Sequence, residues 1–443
     1  MIVLTSKTRH SSRVLPTCLT RRTALSSESP TTSLFGKKVF GRRRNSDKAP
    51  PSTVSSRHFY QNEALMGYAN RPIRPVSLQQ FAFYGRKLTD EKIIHSANFV
   101  RQELPTRMAH RIHDMQRLPY SIIRNPHMSH VYELYYHSFN SLRKFPKIRS
   151  LDDNDKLCNL VKDLLLRHTE VVPRVVMGVI ESAELMDSNR LDRFIYSLLS
   201  SRISRRVLTE QHLTMTNSLK EGNVTNTGEN VGQVFLQLHA ADVVRQCADL
   251  AGRLVSDVHR GCATPEIIFE GDSDTKFAFI ESHFKYMLGE ILRNAFEAAA
   301  SKTERTGEPL KPLLVTVCNT PHQLIFRFSD RAGGIPSDVV QDLWSFAKGP
   351  RSLLRHEKLE QLPFFDAVAG ERESINKRMS SLSSLTSRPS DLFLGMGLPM
   401  SKVYAEFWGG KIVVKSMEGF GCDVFLHISK LGIESAFVEN TSI

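Results

Sequence analysis

Glu290 and Asn294 stand four residues apart in GEILRNAFEAAA, residues 289–300. At about 100° per residue, Phe284, Met287, Leu288, Ile291, Leu292, Ala295 and Ala299 form one broad apolar face of a helix. Glu290 and Asn294 fall just beside that face, one turn apart. Two readings are open: a solvated polar shoulder, or a carboxylate and a carboxamide aimed into a cleft. Two further motifs bear on the choice. Asp330 opens DRAGGIP, residues 330–336, directly after a strand-like run. The glycine pair there lets a ligand approach the backbone closely, and a carboxylate in that position can accept the exocyclic amine of adenine. GMGLP, residues 395–399, puts Gly395 and Gly397 immediately before a helical run. Glycines that open a helix can cradle phosphates with backbone N–H groups. Each motif is weak alone. Their order and their strand–loop–helix settings are together far more specific, and they favour the cleft.

Two kinds of architecture have to position these groups. From Phe59 to Leu219 the pattern is helical. LTDEKIIHSANFVRQELPTRMAHRIHDMQRL has helical spacing with an expected break at Pro105, and NPHMSHVYELYYHSFNSLRKF begins on an Asn-Pro start signal. Two more long helical runs follow, the first interrupted at Pro173. Four long helices with short connections predict an antiparallel four-helix bundle over 58–219. Residues 220–232, KEGNVTNTGENVG, read as a polar linker or exposed loop. From 233 to 443 helices alternate with short strands rich in β-branched and aromatic residues: EIIFEG, LLVTVCNT, QLIFRFSD and the hairpin KIVVKSMEGFGCDVFLHI. That is an α+β layer, an antiparallel or mixed sheet with helices on one face. The stretch from about 346 to 394 is too long for a plain loop and is Ser-rich at its centre, which suggests a lid.

Bulk properties narrow the class. The chain has 443 residues, 41% hydrophobic and 24% charged, ordinary values for a globular protein of two or three domains. No apolar run is long enough to cross a bilayer. The six cysteines are scattered without CxxC spacing, which argues for a reducing compartment and against structural zinc. The net charge of +13 is uneven: residues 1–57 hold twelve Lys and Arg against Glu28 and Asp47, so ten of those charges lie there. The body is nearly balanced, and a nucleic-acid face is not expected. The Arg-, Ser- and Thr-rich, acid-poor segment 1–57 has the composition of a mitochondrial transit peptide, expected to be disordered.

At this point the motifs resemble a known superfamily. EILRNAFEAA is similar to the Asn-bearing helix of the GHKL ATPases, DRAGGIP to their first glycine box, and GMGLPMSKVYAEFWGGKI to their second. The likeness sharpens in GLPMSKVYAEFWGG and SMEGFGCDVFL, which look like the mitochondrial 2-oxo acid dehydrogenase kinases. In the first half, RQELPTRMAHRI, NPHMSHVYELYYHSF and SRISRRVLTEQH resemble that family's helical domain. The resemblance implies a GHKL-type α/β-sandwich ATP-binding domain behind the bundle. It implies Glu290 as general base toward a seryl hydroxyl, Asn294 as ligand of Mg²⁺, and Asp330 as the adenine anchor with Gly334 allowing close approach. Gly395, Met396, Gly397 and Leu398 would then line the nucleotide phosphates. The implied activity is ATP-dependent serine phosphorylation, in the mitochondrial matrix, of the alpha subunit of a 2-oxo acid dehydrogenase, which inactivates it. The implied partners are that subunit, the lipoyl domain of the acyltransferase core and a second copy of the chain. The helical segments look slightly closer to branched-chain kinases; the pyruvate complex is the more widespread target and is the reading taken.

The chain departs from the family in places. Phe393 stands where a further glycine is usual, Cys422 where a Thr is usual, FAKG (346–349) where a Thr-bearing stretch is usual, and Tyr286 where some relatives carry His. Two other activities stay open on the sequence. His212 in TEQH is at the place where bacterial relatives carry a phosphoacceptor His, and a nucleotide-binding regulator without catalysis fits the departures.

Overall fold

The computed structural model describes residues 62–85, 87–222, 230–232, 234–259, 263–346, 348 and 396–430. The expected transit segment 1–57, almost all of the expected lid, Phe393 and Gly395 lie outside the described residues.

The first half is helical. It comprises α1 (Glu63–Ala69), α2 (Leu78–Tyr84), α3 (Asp90–Gln116), the one-turn α4 (Tyr120–Ile123), α5 (Pro126–Arg143), α6 (Leu151–Arg167), α7 (Val171–Glu181) and α8 (Ser188–Lys220). Side-chain caps set the starts. Ser77, Thr89, Asn125, Ser150 and Asp187 each accept a hydrogen bond from a backbone N–H two or three residues on, and Ser77 closes a full capping box with Gln80.

Two proline expectations are corrected. Helix α3 runs unbroken through Pro105. Leu104, Pro105, Thr106 and Arg107 are all buried there, and the Thr106 hydroxyl donates to the Gln102 carbonyl at 3.1 Å. Packing on both sides of the proline outweighs the lost backbone bond. The second interruption is real but falls upstream of Pro173, at a 3₁₀ turn over His168–Glu170. Pro173 sits in the first turn of α7, where its missing N–H has no intrahelical partner to lose.

Helix α8 has no single apolar face because it is buried on most sides, from Leu191 to Thr216. One flank, with Arg202, Arg205 and Thr209, lines a cavity of about 470 Å³ against Leu104, Leu164 and His168. Another flank packs on the second half of the chain.

That second half comprises β1 (Asn230–Val231), β2 (Val234–His239), α9 (Ala240–Val258), β3 (Ile267–Gly271), β4 (Lys276–Ile280), α10 (Glu281–Thr306), β5 (Leu313–Asn319), β6 (Gln323–Ser329), α11 (Ser337–Gln341), α12 (Gly397–Phe407), β7 (Lys411–Met417) and β8 (Gly421–Ser429). A five-stranded sheet has the order β3-β5-β6-β8-β7. It is mixed: β3 and β5 are parallel, with α10 in their crossover, and the other pairs are antiparallel. Alternation sets the register. Val315 and Val317 of β5 pair with Phe328 and Phe326 of β6, and all four are buried. Helix α10 lays Phe284 on this face, 5.2 Å from the Phe326 ring, between α9 and α12. A second sheet, β1-β2-β4, was not expected from the sequence. It also draws Asn230 and Val231, read as linker, into a strand that pairs with β2 across a turn at Gly232. The α+β class is as expected.

Candidate active site

Helix α10 carries the first two candidates, and it treats them differently. The Glu290 side chain is 0% exposed, so it is no solvated shoulder. Its Oε2 accepts a hydrogen bond from Arg293 Nη2 at 2.9 Å, one turn on, and Arg293 is itself buried. An ionised carboxylate out of water needs such a charged partner. The other neighbour is Gly397, the first residue of α12. A methyl group at Gly397 would overlap the Glu290 carboxyl, so only glycine lets the helix start approach this closely. The carboxylate therefore lies against the N-terminus of α12, the end where the helix dipole favours negative charge. Asn294 is half-buried, and its side-chain carboxamide makes no hydrogen bond among the described residues.

The start of α12 is bare of side-chain caps. Met396 occupies the cap position and is buried, and its carbonyl accepts the Met400 N–H at 2.9 Å. Leu398 packs against the core. Pro399 has no N–H, so the open donors of this first turn are the amides of Gly397 and Leu398. Gly395, the remaining loop candidate, lies outside the described residues.

Asp330 ends up in a tight junction between β6 and β8. Its Oδ1 accepts the backbone N–H groups of Ala332 at 2.9 Å and Cys422 at 3.1 Å. Its own N–H donates to the Cys422 carbonyl at 2.9 Å. Oδ2 has no hydrogen-bond partner among the described residues. Burial raises the Asp330 pKa above the ordinary carboxylate value, and the two amides oppose that rise. Gly334 has φ +77°, and a methyl there would run into the Met417 carbonyl. Gly421 is held as tightly, since a methyl there would meet the Asp330 carbonyl. These glycines bring the acid-bearing loop onto the β7–β8 hairpin.

Cys422, the departure from Thr, proves harmless to this junction. It holds Asp330 through its backbone N–H, while its thiol points to Ser416 Oγ at 3.4 Å. Ser416 in turn accepts the Ile335 N–H at 2.6 Å and so pins the far side of the loop. Burial pushes the Cys422 thiol pKa up, with the Ser416 contact opposing.

A cleft of about 390 Å³ joins α10 to this loop, with Ala295, Ala299 and Lys302 on one wall and Asp330, Arg331 and Ala332 on the other. One helix thus presents Glu290 to the start of α12 and Ala295 to the Asp330 cleft, with Asn294 between the two. Sequence reasoning missed Arg293, Ser416 and His283. The (i, i+3) spacing of Glu290 and Arg293 was a usable signal. His283 was not legible: its Nδ1 accepts from Trp408 Nε1 at 3.0 Å, a contact that only the fold creates. Tyr286, where some relatives carry His, packs 5.0 Å from the Tyr404 ring of α12.

His212 lies elsewhere. It is 1% exposed on α8, with Nδ1 3.0 Å from Ser96 Oγ and Nε2 3.7 Å from Cys158 Sγ. Burial lowers its pKa to about 4, so the ring is neutral at physiological pH.

Among the described residues no cluster of three His, Cys, Asp or Glu could hold a metal ion, and no helix is long and apolar enough to cross a membrane.

Comparison with known proteins identifies the family. A family profile described as mitochondrial branched-chain alpha-ketoacid dehydrogenase kinase matches residues 75–235. Mitochondrial pyruvate dehydrogenase (acetyl-transferring) kinase 2 of Saccharomyces cerevisiae is 34% identical over 436 residues, covering 87% of this chain and 88% of its own. The mitochondrial pyruvate dehydrogenase kinase of Arabidopsis thaliana is 28% identical, covering 81% of this chain and 90% of its own. Human isozyme 3 is 28% identical, covering 82% and 84%. With likeness of this extent, the chain is a mitochondrial protein kinase. It belongs to the mitochondrial 2-oxo acid dehydrogenase kinase family.

Proposed function

We propose that the chain phosphorylates a serine on the alpha subunit of a mitochondrial 2-oxo acid dehydrogenase, with pyruvate dehydrogenase as the substrate, and thereby inactivates it. The reading divides the chain into a docking and regulatory four-helix bundle at 58–219 and a GHKL-type ATP-binding domain at 233–443. The observation that carries it is the Glu290 carboxylate lodged against Gly397. It brings a proton acceptor and a glycine-opened helix start to one point. Phosphoryl transfer is mostly positioning and charge neutralisation, and those are the two groups it needs.

ATP, the phosphoryl donor, suits the residues present. Asp330 has an unpartnered Oδ2 beside a cleft for the adenine amine, and Gly334 lets the loop that carries it close onto the Met417 carbonyl. The Gly397 and Leu398 amides, together with Gly395 and Met396, take the phosphates. Asn294, with a free carboxamide, is the protein ligand of Mg²⁺. A metal held by one side chain and by substrate phosphates is in keeping with the hydrated coordination of Mg²⁺, which supplies charge neutralisation on the phosphates. In the reaction the seryl oxygen attacks the γ-phosphorus as its bond to the β-phosphate oxygen breaks, and the seryl proton passes to Glu290. Arg293 fixes the Glu290 carboxylate beforehand.

The partners of this reading are the dehydrogenase alpha subunit, a lipoyl domain of the acyltransferase core docked by the bundle, and a second copy of the chain. A branched-chain substrate is the second reading, favoured by the description of the profile that matches 75–235. Labelled ATP supplied to purified pyruvate and branched-chain complexes tests both. Acid-stable phosphoserine on the pyruvate dehydrogenase alpha subunit is expected. Label confined to the branched-chain subunit would transfer the assignment, and acid-labile label on the kinase itself would favour His212. No label anywhere would leave a nucleotide-binding regulator.

A further inference from the structure

Helix α8 belongs to the helical half, yet it grips two elements of the nucleotide half. The Phe346 N–H donates to Asp192 Oδ1 at 2.8 Å. Phe346 is buried, at the point where the chain departs toward the 347–395 stretch. One turn further along α8, on the same face, the Tyr196 phenol meets the Glu406 carboxylate of α12; burial and that carboxylate raise its pKa. The two gripped elements also hold each other. Lys402 of α12 places its ammonium 5.3 Å from the Trp344 ring centre and 3.8 Å from Glu406.

Helix α12 is the element whose first residue abuts Glu290. Its start is therefore set from two directions: from below by α10, and along its length by α8. If α12 slid or tilted, the Gly397 and Leu398 amides would leave the place where phosphate must sit. The segment Trp344–Phe346 is held to the same helix through the Phe346 N–H and to α12 through Trp344 and Lys402.

We propose that Asp192 and Tyr196 are positioning residues for the nucleotide site: one face of a bundle helix sets α12 and the Trp344–Phe346 segment in register, and Mg-ATP affinity depends on it. This rests on the nucleotide reading above. Neither residue touches the reacting atoms. Among the contacts of Asp192, the bond from the buried Phe346 N–H needs only an acceptor, which either Asp or Asn supplies. The role of Tyr196 is carried by one hydroxyl.

The test is made on the full chain, with Mg-ATP as the probe in calorimetry and with steady-state kinetics on a dehydrogenase complex. Asp192→Ala is expected to weaken Mg-ATP binding and raise KM for ATP roughly five- to tenfold, the equilibrium value of about one hydrogen bond. The kcat should stay within about twofold, because the Glu290 site itself is intact. Asp192→Asn keeps that acceptor and should bind Mg-ATP more tightly than Asp192→Ala. Tyr196→Phe removes a single atom and keeps the packing. It should shift affinity in the same direction by roughly two- to fivefold, and it covers the case in which Asp192→Ala does not fold. Wild-type affinity in both Asp192→Ala and Tyr196→Phe overturns the proposal. So does an Asp192→Asn variant as weak as Asp192→Ala, since the acceptor would then not be what matters. Wild-type protein that binds no Mg-ATP would instead remove the nucleotide reading, and this proposal with it.

Discussion

Glu290 and His212 invite comparison. Both sit on long helices, and both are almost wholly buried, at 0% and 1% exposed. Their neighbours separate them. Glu290 has a guanidinium at 2.9 Å and the opening glycine of a helix against its carboxylate. His212 has a hydroxyl and a thiol, no charge among the causes of its shifted pKa, and a ring that burial alone makes neutral. A buried polar group that merely satisfies hydrogen bonds needs only neutral partners. A buried carboxylate set beside a guanidinium and a helix start has surroundings of a different kind. Burial by itself does not separate a catalyst from a core residue; the chemistry of the surroundings does.

The largest effect that can test this contrast is expected at Glu290. Glu290→Gln keeps the shape and can still accept from Arg293, but it cannot take a proton. Turnover on a dehydrogenase complex should fall about 10²–10⁴-fold, the usual cost of losing a general base. Mg-ATP affinity should change little, because a base acts mainly in the transition state. The melting temperature should fall, since the charge-assisted bond from Arg293 is weakened to a neutral one. Wild-type turnover in a folded Glu290→Gln protein would abolish the distinction between the two residues.

How much of this was legible in the sequence depends on the range of the interactions. The apolar face of α10 followed from its period, and Phe284, Met287, Leu288, Ile291 and Leu292 are all buried as expected. The glycine pair after Asp330 marked a close backbone approach in the sequence, but what approaches Gly334 is the Met417 carbonyl of the distant hairpin, which local turn chemistry does not reveal. The burial of Glu290 was not legible either: it is sealed by Gly397, which arrives from far along the chain. The same limit hid the Trp408–His283 bond and the pairing of β2 with β4. Pro105 misled in the opposite sense. A local rule predicted a break, and burial of its flanking residues overrode it.

A second, smaller effect is expected at Asp330. Asp330→Ala removes both the unpartnered Oδ2 and the Oδ1 that holds Ala332 and Cys422. Mg-ATP should bind more than about tenfold more weakly, or about 1.4 kcal/mol. Calorimetry on a folded variant decides it. Unchanged affinity would mean that this carboxylate, like the His212 ring, only braces the fold.

Gly397→Ala sharpens the comparison from the other side of Glu290. The added methyl group must displace the carboxylate or the start of α12. Overpacking of this kind costs about 1–3 kcal/mol, and denaturant unfolding should show it. Turnover should fall with it. A variant of wild-type stability and activity would mean that the close approach of Gly397 to Glu290 is not needed.

The smallest effect on activity is expected at His212. His212→Gln puts a neutral, polar side chain into the same closed space. Turnover and Mg-ATP affinity should stay within about twofold of wild type, because the ring faces Ser96 and Cys158 and not the start of α12. Stability should fall by about 1–3 kcal/mol, the cost of imperfectly partnered buried polar groups. The pH dependence carries a further signature. The folded pKa of about 4 lies below the ordinary histidine value of about 6.5, so the unfolded chain binds the extra proton first as the solution is acidified. The stability that neutral His212 supports is complete above about pH 6.5 and is lost as pH falls through that value toward 4. The Gln variant lacks this proton linkage. The stability gap between wild type and variant should therefore narrow on acidification, and unfolding curves at pH 7, 5.5 and 4.5 measure it. A gap that stays constant would show that the ring is not held neutral. Turnover lost at pH 7 in a variant that still binds Mg-ATP would return His212 to the chemistry.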